Sequence, residues 1–342
     1  MKVFFDARLL NDRARFFGSR IYLDSIVERL GNRIDFVPFP HSRLSARLRQ
    51  SALVRGIDSA VTLLRSGTLR LPKDAVFWGP SGYAPFGMSR CNSVITIHDL
   101  MLFNSSRTNL RTRLLRTWVA TSTKVAKYII TDTKVIGDAI GARFADQSRK
   151  VVVIPIGVDH IAREVRMETD PAEPLELPSK FVLMLGAHHP RKNLPFSLAL
   201  AQRIGDLGIS LVITGTERRY VSNNVIALGE VPADHKNLLI RRALAVVYPS
   251  TDEGFGLPVF EAVFRGTPII CNDLPVYGDF WEPGIHRLPL VLEAWEAKIR
   301  QILAQGRMRP EEVVQALSAC DRYSWAKASE QHYRVFRDAC EG

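Results

Sequence analysis

Cysteine is scarce in this 342-residue chain: Cys91, Cys271, Cys320 and Cys340 are scattered, with no C-x-x-C pair. A disulfide framework and the common zinc spacings are thereby excluded, and a reducing, cytoplasmic setting is expected. No apolar run approaches the roughly 20 residues needed to span a bilayer. The segment Met1–Arg8 meets charge too early for a signal peptide and reads as a buried first strand. The chain has no Asp-x-Asp pair to seat a divalent ion on a diphosphate, and no G-x-x-x-x-G-K-[ST] phosphate loop. It also lacks a G-x-G-x-x-G opening a helix after a strand. ATPase and dehydrogenase chemistries are left without support. Acidic residues run short in the first half: residues 1–150 hold 25 Lys+Arg against 11 Asp+Glu, a net of +14. Residues 151–342 hold 21 against 24, a net of −3, and the two halves sum to the formal charge of +11. Such asymmetry predicts that one half faces an anion.

What is present is an ordinary globular composition, 46% hydrophobic and 24% charged, with enough chain for two domains. Short apolar runs alternate with helical patterns. The predicted strands are Lys2–Phe5, Asp35–Val37, Ala75–Trp78, Ser93–Ile97, Tyr128–Thr131 and Val151–Ile154. A second series follows at Phe181–Leu185, Ser210–Thr214, Val225–Ala227, Ala245–Tyr248 and Pro268–Cys271. Between them lie helical spacings such as Leu23, Ile26, Val27 and Leu30. This is the pattern of parallel sheets covered by helices on both faces. Residues 161–180, with three prolines and five acids and no apolar period, are expected to be a linker between domains at 1–160 and 181–324. Ligands of open α/β sheets bind beyond the strands' carboxyl ends, so a cleft between the domains is the expected site.

The most informative stretch is Tyr248-Pro-Ser-Thr-Asp-Glu253-Gly254-Phe255-Gly256-Leu257-Pro258-Val-Phe-Glu261-Ala. A strand ends at Tyr248, a glycine-bearing loop follows, and Pro258 stands where a helix is expected to begin. Glu253 then falls in the loop and Glu261 in the first helical turn. Gly254 and Gly256 allow close approach of backbone to a ligand, and the helix start offers free N–H groups to an anion. Two carboxylates beside an anion site make sense if they accept hydrogen bonds from sugar hydroxyls. Arg191 and Lys192 follow a predicted strand and Gly186, where cations suit a diphosphate leaving group. Cations at a helix start also oppose its dipole unless an anion balances them. His98 lies just past the strand Ser93–Ile97, a position open to either a structural or a ligand-binding role.

These segments resemble the retaining glycosyltransferases of family 4. The likeness rests on Glu253-Gly-Phe-Gly-Leu-Pro-Val-Phe-Glu261-Ala followed by Arg265-Gly-Thr-Pro268. It continues in Phe181-Val-Leu-Met-Leu-Gly186 with Arg191-Lys192-Asn193, Val153-Ile-Pro-Ile-Gly-Val-Asp159, Thr96-Ile-His98-Asp99-Leu100 and Tyr323-Ser-Trp325. The resemblance implies the GT-B architecture: two Rossmann-like α/β/α domains facing a cleft, the first binding acceptor and the second a nucleotide-sugar. A closing helix over about 325–342 would fold back on the first domain. It further implies metal-independent transfer, with retention, of a hexose such as mannose to a glycan or lipid-linked saccharide in bacterial surface polysaccharide synthesis. Glu261 would hold ribose, Glu253 the sugar hydroxyls, and Arg191 and Lys192 the departing diphosphate. Backbone around Phe255–Leu257 would meet sugar and phosphate, and His98 the transferred sugar or the acceptor. No cofactor or metal is expected.

Two departures stand out. The family's first glycine-rich loop reads here Phe17-Gly18-Ser19-Arg20-Ile21-Tyr22, with Arg20 at the second glycine position. Either Arg20 meets an anionic acceptor, or Gly18 is merely a turn residue. Val276 stands where many members place a Glu. The basic half adds Arg43, Arg47, Arg49, Arg55, Arg65, Arg70 and Lys73, with Asp58 the one acid in 41–73. Residues 107–127 carry six cations and no acid, interleaved with Leu110, Leu114, Leu115, Trp118 and Val119. That pattern fits either a solvated helix packed on a core or peripheral docking on an anionic membrane at the inner face of the cytoplasmic membrane. Nucleic acid is not expected, since no stacking aromatics or known motif accompany the charge. Two other readings stay open: a non-catalytic sugar-nucleotide or partner-binding protein on the same fold and, ranked below it, a basic nucleic-acid-binding protein.

Overall fold

The computed structural model describes residues 1–6, 17–39, 71–84, 92–104, 109–171, 175–217 and 219–341. The chain divides into two compact units, Met1–Gly157 with Ser324–Gly342, and Val158–Tyr323. Most of the basic stretch 41–73, Cys91, and Arg107 lie outside the described residues.

Unit 1 is built on a six-stranded, all-parallel sheet. Its strands are β1 (Lys2–Asp6), β2 (Asp35–Phe39), β3 (Ala75–Gly79), β4 (Asn92–Ile97), β5 (Tyr128–Thr131) and β6 (Val151–Val153), in the order β2-β1-β3-β4-β5-β6. Ala75–Gly79 is buried along its length, as expected of a strand covered on both faces. Among the described residues its longer helices before the C-terminal one are α1 (Phe17–Leu30), α2 (Leu110–Val125) and α3 (Lys134–Arg143). Asn109 caps α2 by accepting from the Thr112 N–H at 2.9 Å, which settles one orphan donor of the first turn. The C-terminal helix, Trp325–Glu341, completes this unit by burying Trp325, His332, Val335 and Phe336.

A directional hydrogen-bond chain fixes that helix. Trp78 Nε1–H donates to Thr96 Oγ1 at 3.1 Å, and Thr96 lies 2.8 Å from the Tyr22 hydroxyl. Tyr22 in turn donates to His332 Nε2 at 2.5 Å, because His332 Nδ1–H is spent on the Ala328 carbonyl at 2.7 Å. Burial holds the His332 imidazole down to about 4, so it is neutral in this chain.

Unit 2 holds a seven-stranded sheet. Its strands are β7 (Phe181–Met184), β8 (Ser210–Ile213), β9 (Tyr220–Ser222), β10 (Val225–Ala227), β11 (Ala245–Tyr248), β12 (Ile269–Asn272) and β13 (Ile285–Leu288). The order is β13-β12-β11-β7-β8-β10-β9, parallel except for β9 against β10. Its helices are α4 (Asp159–Met167), α5 (Leu194–Ile204), α6 (Ala233–Arg242), α7 (Leu257–Val263), α8 (Leu292–Gln305) and α9 (Pro310–Leu317). Val182, Leu200, Ile213, Val247, Trp295 and Ile299 belong to one buried core between sheet and helices. β7 is flanked by β8 on one side and β11 on the other, so the chain reverses direction across the sheet between β7 and β11. That is the switch point where open α/β sheets display ligand-binding loops.

The expected linker over 161–180 is corrected at its start, since residues 159–167 are helical. Ile161 and Ala162 are buried, Asp159 opens the helix and Arg166 closes it, each on the end its charge favours.

Candidate active site

The loops after β7 and β11 meet at the switch point. Gly186 leaves β7 with φ +68°, a left-handed conformation that suits glycine. A single 3-10 turn, Pro190–Lys192, then aims two cations across at the loop after Tyr248. Lys192 Nζ donates to Glu253 Oε1 at 2.7 Å and also to the Tyr248 hydroxyl. The same carboxylate oxygen accepts from Tyr248 at 2.6 Å and from Ser250 at 2.6 Å. Arg191 pairs with the other oxygen, Oε2, and donates from Nη1 to the Asp252 carbonyl at 2.9 Å. The Lys192 ammonium lies 4.3 Å from the Tyr248 ring centroid, a cation–π geometry.

Burial alone would push Glu253, 6% exposed, upward, but Lys192 and Arg191 hold its carboxyl down to about 2. Burial also draws Lys192 down to about 8, against the pull of Glu253 and with help from Arg191. At neutral pH all three are therefore ionised and the cluster keeps one net positive charge. Nearby Cys271 is the opposite case: burial drives its thiol up to about 12, an inert side chain.

Gly256 has φ +99°, and a Cβ built there would lie 2.6 Å from Tyr277 Cε1. Glycine is required at that point by conformation and by space. Because Gly256 caps the helix, α7 begins at Leu257, with Pro258 second. Glu261 is then its fifth residue and belongs to the second turn, a correction to the expected first-turn placement. Gly254 and Phe255 lie in the intervening loop. The Phe255 ring turns into an aromatic cluster with Phe260, Phe280 and Tyr323, so only its backbone is available to a ligand. Val276 is buried and offers no polar group.

Glu261 forms a second centre. Lys236 donates to its Oε1 at 2.9 Å, and Arg265 donates to its carbonyl at 2.9 Å. Burial opposes the carboxylate, but Lys236 and Arg265 hold Glu261 below the usual range. The enclosed Arg265 guanidinium is balanced by Glu168. A cavity of about 530 Å³ opens among α4 and α6, lined by His160, Arg163, Glu164, Glu168, Asp234 and Asn237. Burial pulls His160 to about 4, with Glu261 acting against it. Tyr248, Ser250, Lys236 and Glu168 were not foreseen as site residues. Only strand order brings the first two under Glu253, and Glu168 sat in a stretch read as linker.

In unit 1, β4 and β5 pair in register with Ile97 opposite Thr131. His98 and Asp132 therefore emerge side by side, with Nδ1 2.8 Å from Oδ2. The segment with Gly18 and Arg20 is helical, correcting its reading as a loop. No breaker interrupts Phe17–Leu30, a Cβ at Gly18 would meet nothing within 4 Å, and Arg20 pairs with Asp24 at 2.5 Å.

Among the described residues no cluster of three or more His, Cys, Asp or Glu could hold a metal. In the same set no helix is long and apolar enough to cross a membrane.

Residues 166–317 match the family model described as glycosyl transferases group 1. The chain is 27% identical to O-antigen chain mannosyltransferase B of Escherichia coli, over 97% of this chain and 92% of that protein. It is 26% identical to O-antigen chain mannosyltransferase RfbU of Salmonella typhimurium, over 62% of this chain and 61% of that protein. Sucrose-phosphate synthase from Thermosynechococcus elongatus superposes with TM-score 0.70 at 16% identity, over 99% and 98% of the two chains. WaaG, a glycosyltransferase involved in lipopolysaccharide biosynthesis, gives 0.67 at 14% identity, over 98% and 99%. Both α/β units thus match the GT-B fold of these solved structures, and the segment 166–317 is similar to the glycosyl transferases of group 1.

Proposed function

We propose that this chain transfers a hexose, mannose or one like it, with retention and without a metal, from a nucleotide-sugar to a glycan or lipid-linked saccharide in surface polysaccharide synthesis. The observation that carries the reading is the convergence of Arg191, Lys192 and Glu253 at the β7/β11 switch point. Two cations sharing one carboxylate keep a net positive charge for a diphosphate, and their donors stabilise it as it leaves. In this reading Glu253 shares its hydrogen bonds with the sugar hydroxyls, and Glu261, beside Lys236, holds the ribose. The backbone from Gly254 to Leu257 closes on sugar and phosphate, and His98 serves the acceptor or transferred sugar.

Peripheral docking on an anionic bilayer, at the inner face of the cytoplasmic membrane, belongs to the same proposal. Its support is the start of α2, where Leu110 and Leu114 are 72% and 62% exposed beside the exposed cations Arg111 and Arg113. The decisive experiment combines a thermal-shift screen of nucleoside diphosphates with transfer assays using hexose donors. Wild type should be stabilised by at least one diphosphate. Lys192→Ala and Arg191→Ala should each lower kcat by about 10²–10³-fold, the loss typical for a transition-state donor. A protein that binds no nucleotide, or turns over equally well without either cation, would overturn the reading.

A further inference from the structure

The pair at the carboxyl ends of β4 and β5 has a chemistry of its own. His98 Nδ1 faces the Asp132 carboxylate at 2.8 Å, and Nε2 faces the Pro80 carbonyl at 3.2 Å. Both nitrogens therefore meet acceptors. A neutral imidazole would turn a lone pair onto one of those oxygens, whereas the doubly protonated ring satisfies both. The ring plane is fixed from the side, since the Tyr22 ring meets it edge-on with centroids 4.6 Å apart.

Asp132 is 3% exposed, and its second oxygen, Oδ1, is buried with no hydrogen-bond partner among the described residues. An enclosed carboxylate with an unsatisfied oxygen is costly, and it is the kind of feature that marks a functional demand rather than packing. Among the described residues four titratable groups bear on His98. Asp132 comes from the end of β5, Asp99 from its own loop, Tyr22 from α1 and His332 from the C-terminal helix. Tyr22 and His332 are both uncharged at neutral pH, the first pushed up and the second down by burial. Burial would depress His98 too, but Asp132, with Asp99 and the Pro80 carbonyl, carries it above the ordinary histidine value.

We propose that Asp132 is a positioning residue that holds His98 as a doubly protonated donor, its Nε2–H shared between the Pro80 carbonyl and an oxygen of the acceptor or transferred sugar, so that His98 cannot serve as general base. The role in transfer rests on the hexosyltransferase reading; the charge state of the ring does not. A base needs a free lone pair, and this ring has none to give. The proton of the attacking hydroxyl therefore leaves by a route other than His98.

The test is a long-range ¹H–¹⁵N NMR titration of the histidine rings in the full chain without substrate, with His98→Ala assigning the signal. Wild type should show both His98 nitrogens protonated at pH 7 and a midpoint above the free-histidine value of about 6.5. Asp132→Asn should lower that midpoint by about one pH unit or more, a tenfold change in proton affinity. A His98 that is neutral at pH 7 in wild type, or a midpoint unmoved by Asp132→Asn, overturns the proposal. If Asp132→Asn does not fold, the wild-type spectrum decides alone. In transfer assays Asp132→Asn should lower kcat about tenfold or more with little change in KM. In a His98→Ala background it should cost nothing further, and an equal loss in both backgrounds would overturn a role through His98. Failure to turn over any donor would count against the hexosyltransferase reading, and the substrate-free spectrum would still judge the dyad.

Discussion

Replacing Glu253 by Gln removes one negative charge and keeps the side-chain shape. The carboxylate binds Lys192 at 2.7 Å, Arg191 through its other oxygen, and the hydroxyls of Tyr248 and Ser250 at 2.6 Å each. Without it, the buried Lys192 and the partly buried Arg191 lose the charge that balances both. Its carboxyl is held at about 2 against a reference of 4.5, and each pH unit is worth about 1.4 kcal/mol, so the ionised form is favoured by about 3 kcal/mol. Breaking a buried pair by removing one partner costs about 3–5 kcal/mol, in the same range. The folded pKa is depressed, so this stability is fully present above the unfolded value and is lost as pH falls through the folded one. About 2 kcal/mol of it should be gone by about pH 3.

Hydrogen exchange on peptides covering β7 and β11, across a urea series, reports this unit without the other. At pH 7 Glu253→Gln should lower their opening free energy by about 3 kcal/mol, and the gap to wild type should narrow steadily below about pH 4.5. A gap that is absent, or that stays constant down to pH 3, would refute the assignment of Glu253 as the ionised counter-charge.

Two further outcomes follow from geometry elsewhere. Tyr22→Phe strips the hydroxyl from between Thr96 and His332 Nε2; leaving buried partners unpaired should cost about 1–3 kcal/mol in a thermal or urea melt, and an unchanged melt would refute the directional chain. Gly256→Ala must keep φ at +99° and place a methyl 2.6 Å from Tyr277 Cε1. It should destabilise unit 2 by about 1–3 kcal/mol and weaken the nucleotide-sugar binding proposed above, read by calorimetry, and a wild-type affinity would show the loop is not shaped by that contact.

How far the chain could be read in advance depended on what each element asks of its residues. Central strands such as Ala75–Gly79 and Ala245–Tyr248 are buried on both faces and spell continuous apolar runs, so they were legible. Two edge strands were not: Ile285–Leu288 carries His286 and Arg287, and Tyr220–Ser222 is three residues long and antiparallel. α4 was hidden because charged residues outnumber the buried Ile161 and Ala162 that anchor it. At the site, Arg191, Lys192 and Glu253 were recognisable as ligand-binding types beside strand ends, while Glu261 falls one helical turn later than its spacing suggested. That Glu253 itself balances both cations depends on β7 lying beside β11, which local spacing does not encode. Asp132 escaped notice for the same reason, since only the Ile97–Thr131 register sets it against His98.

The division of the chain also dictates how it can be cut. Residues 158–323 form a unit whose ends are tied, the Val158 N–H donating to the Tyr323 carbonyl at 2.8 Å. It is an insert with joined termini, suited to expression as an excised fragment. The surrounding unit is split by it, and a fragment ending at Gly157 would lack Trp325, His332 and Phe336, all enclosed in its interior. Truncation before Ser324 would therefore damage the unit built mainly from residues 1–157, while sparing the one inserted into it.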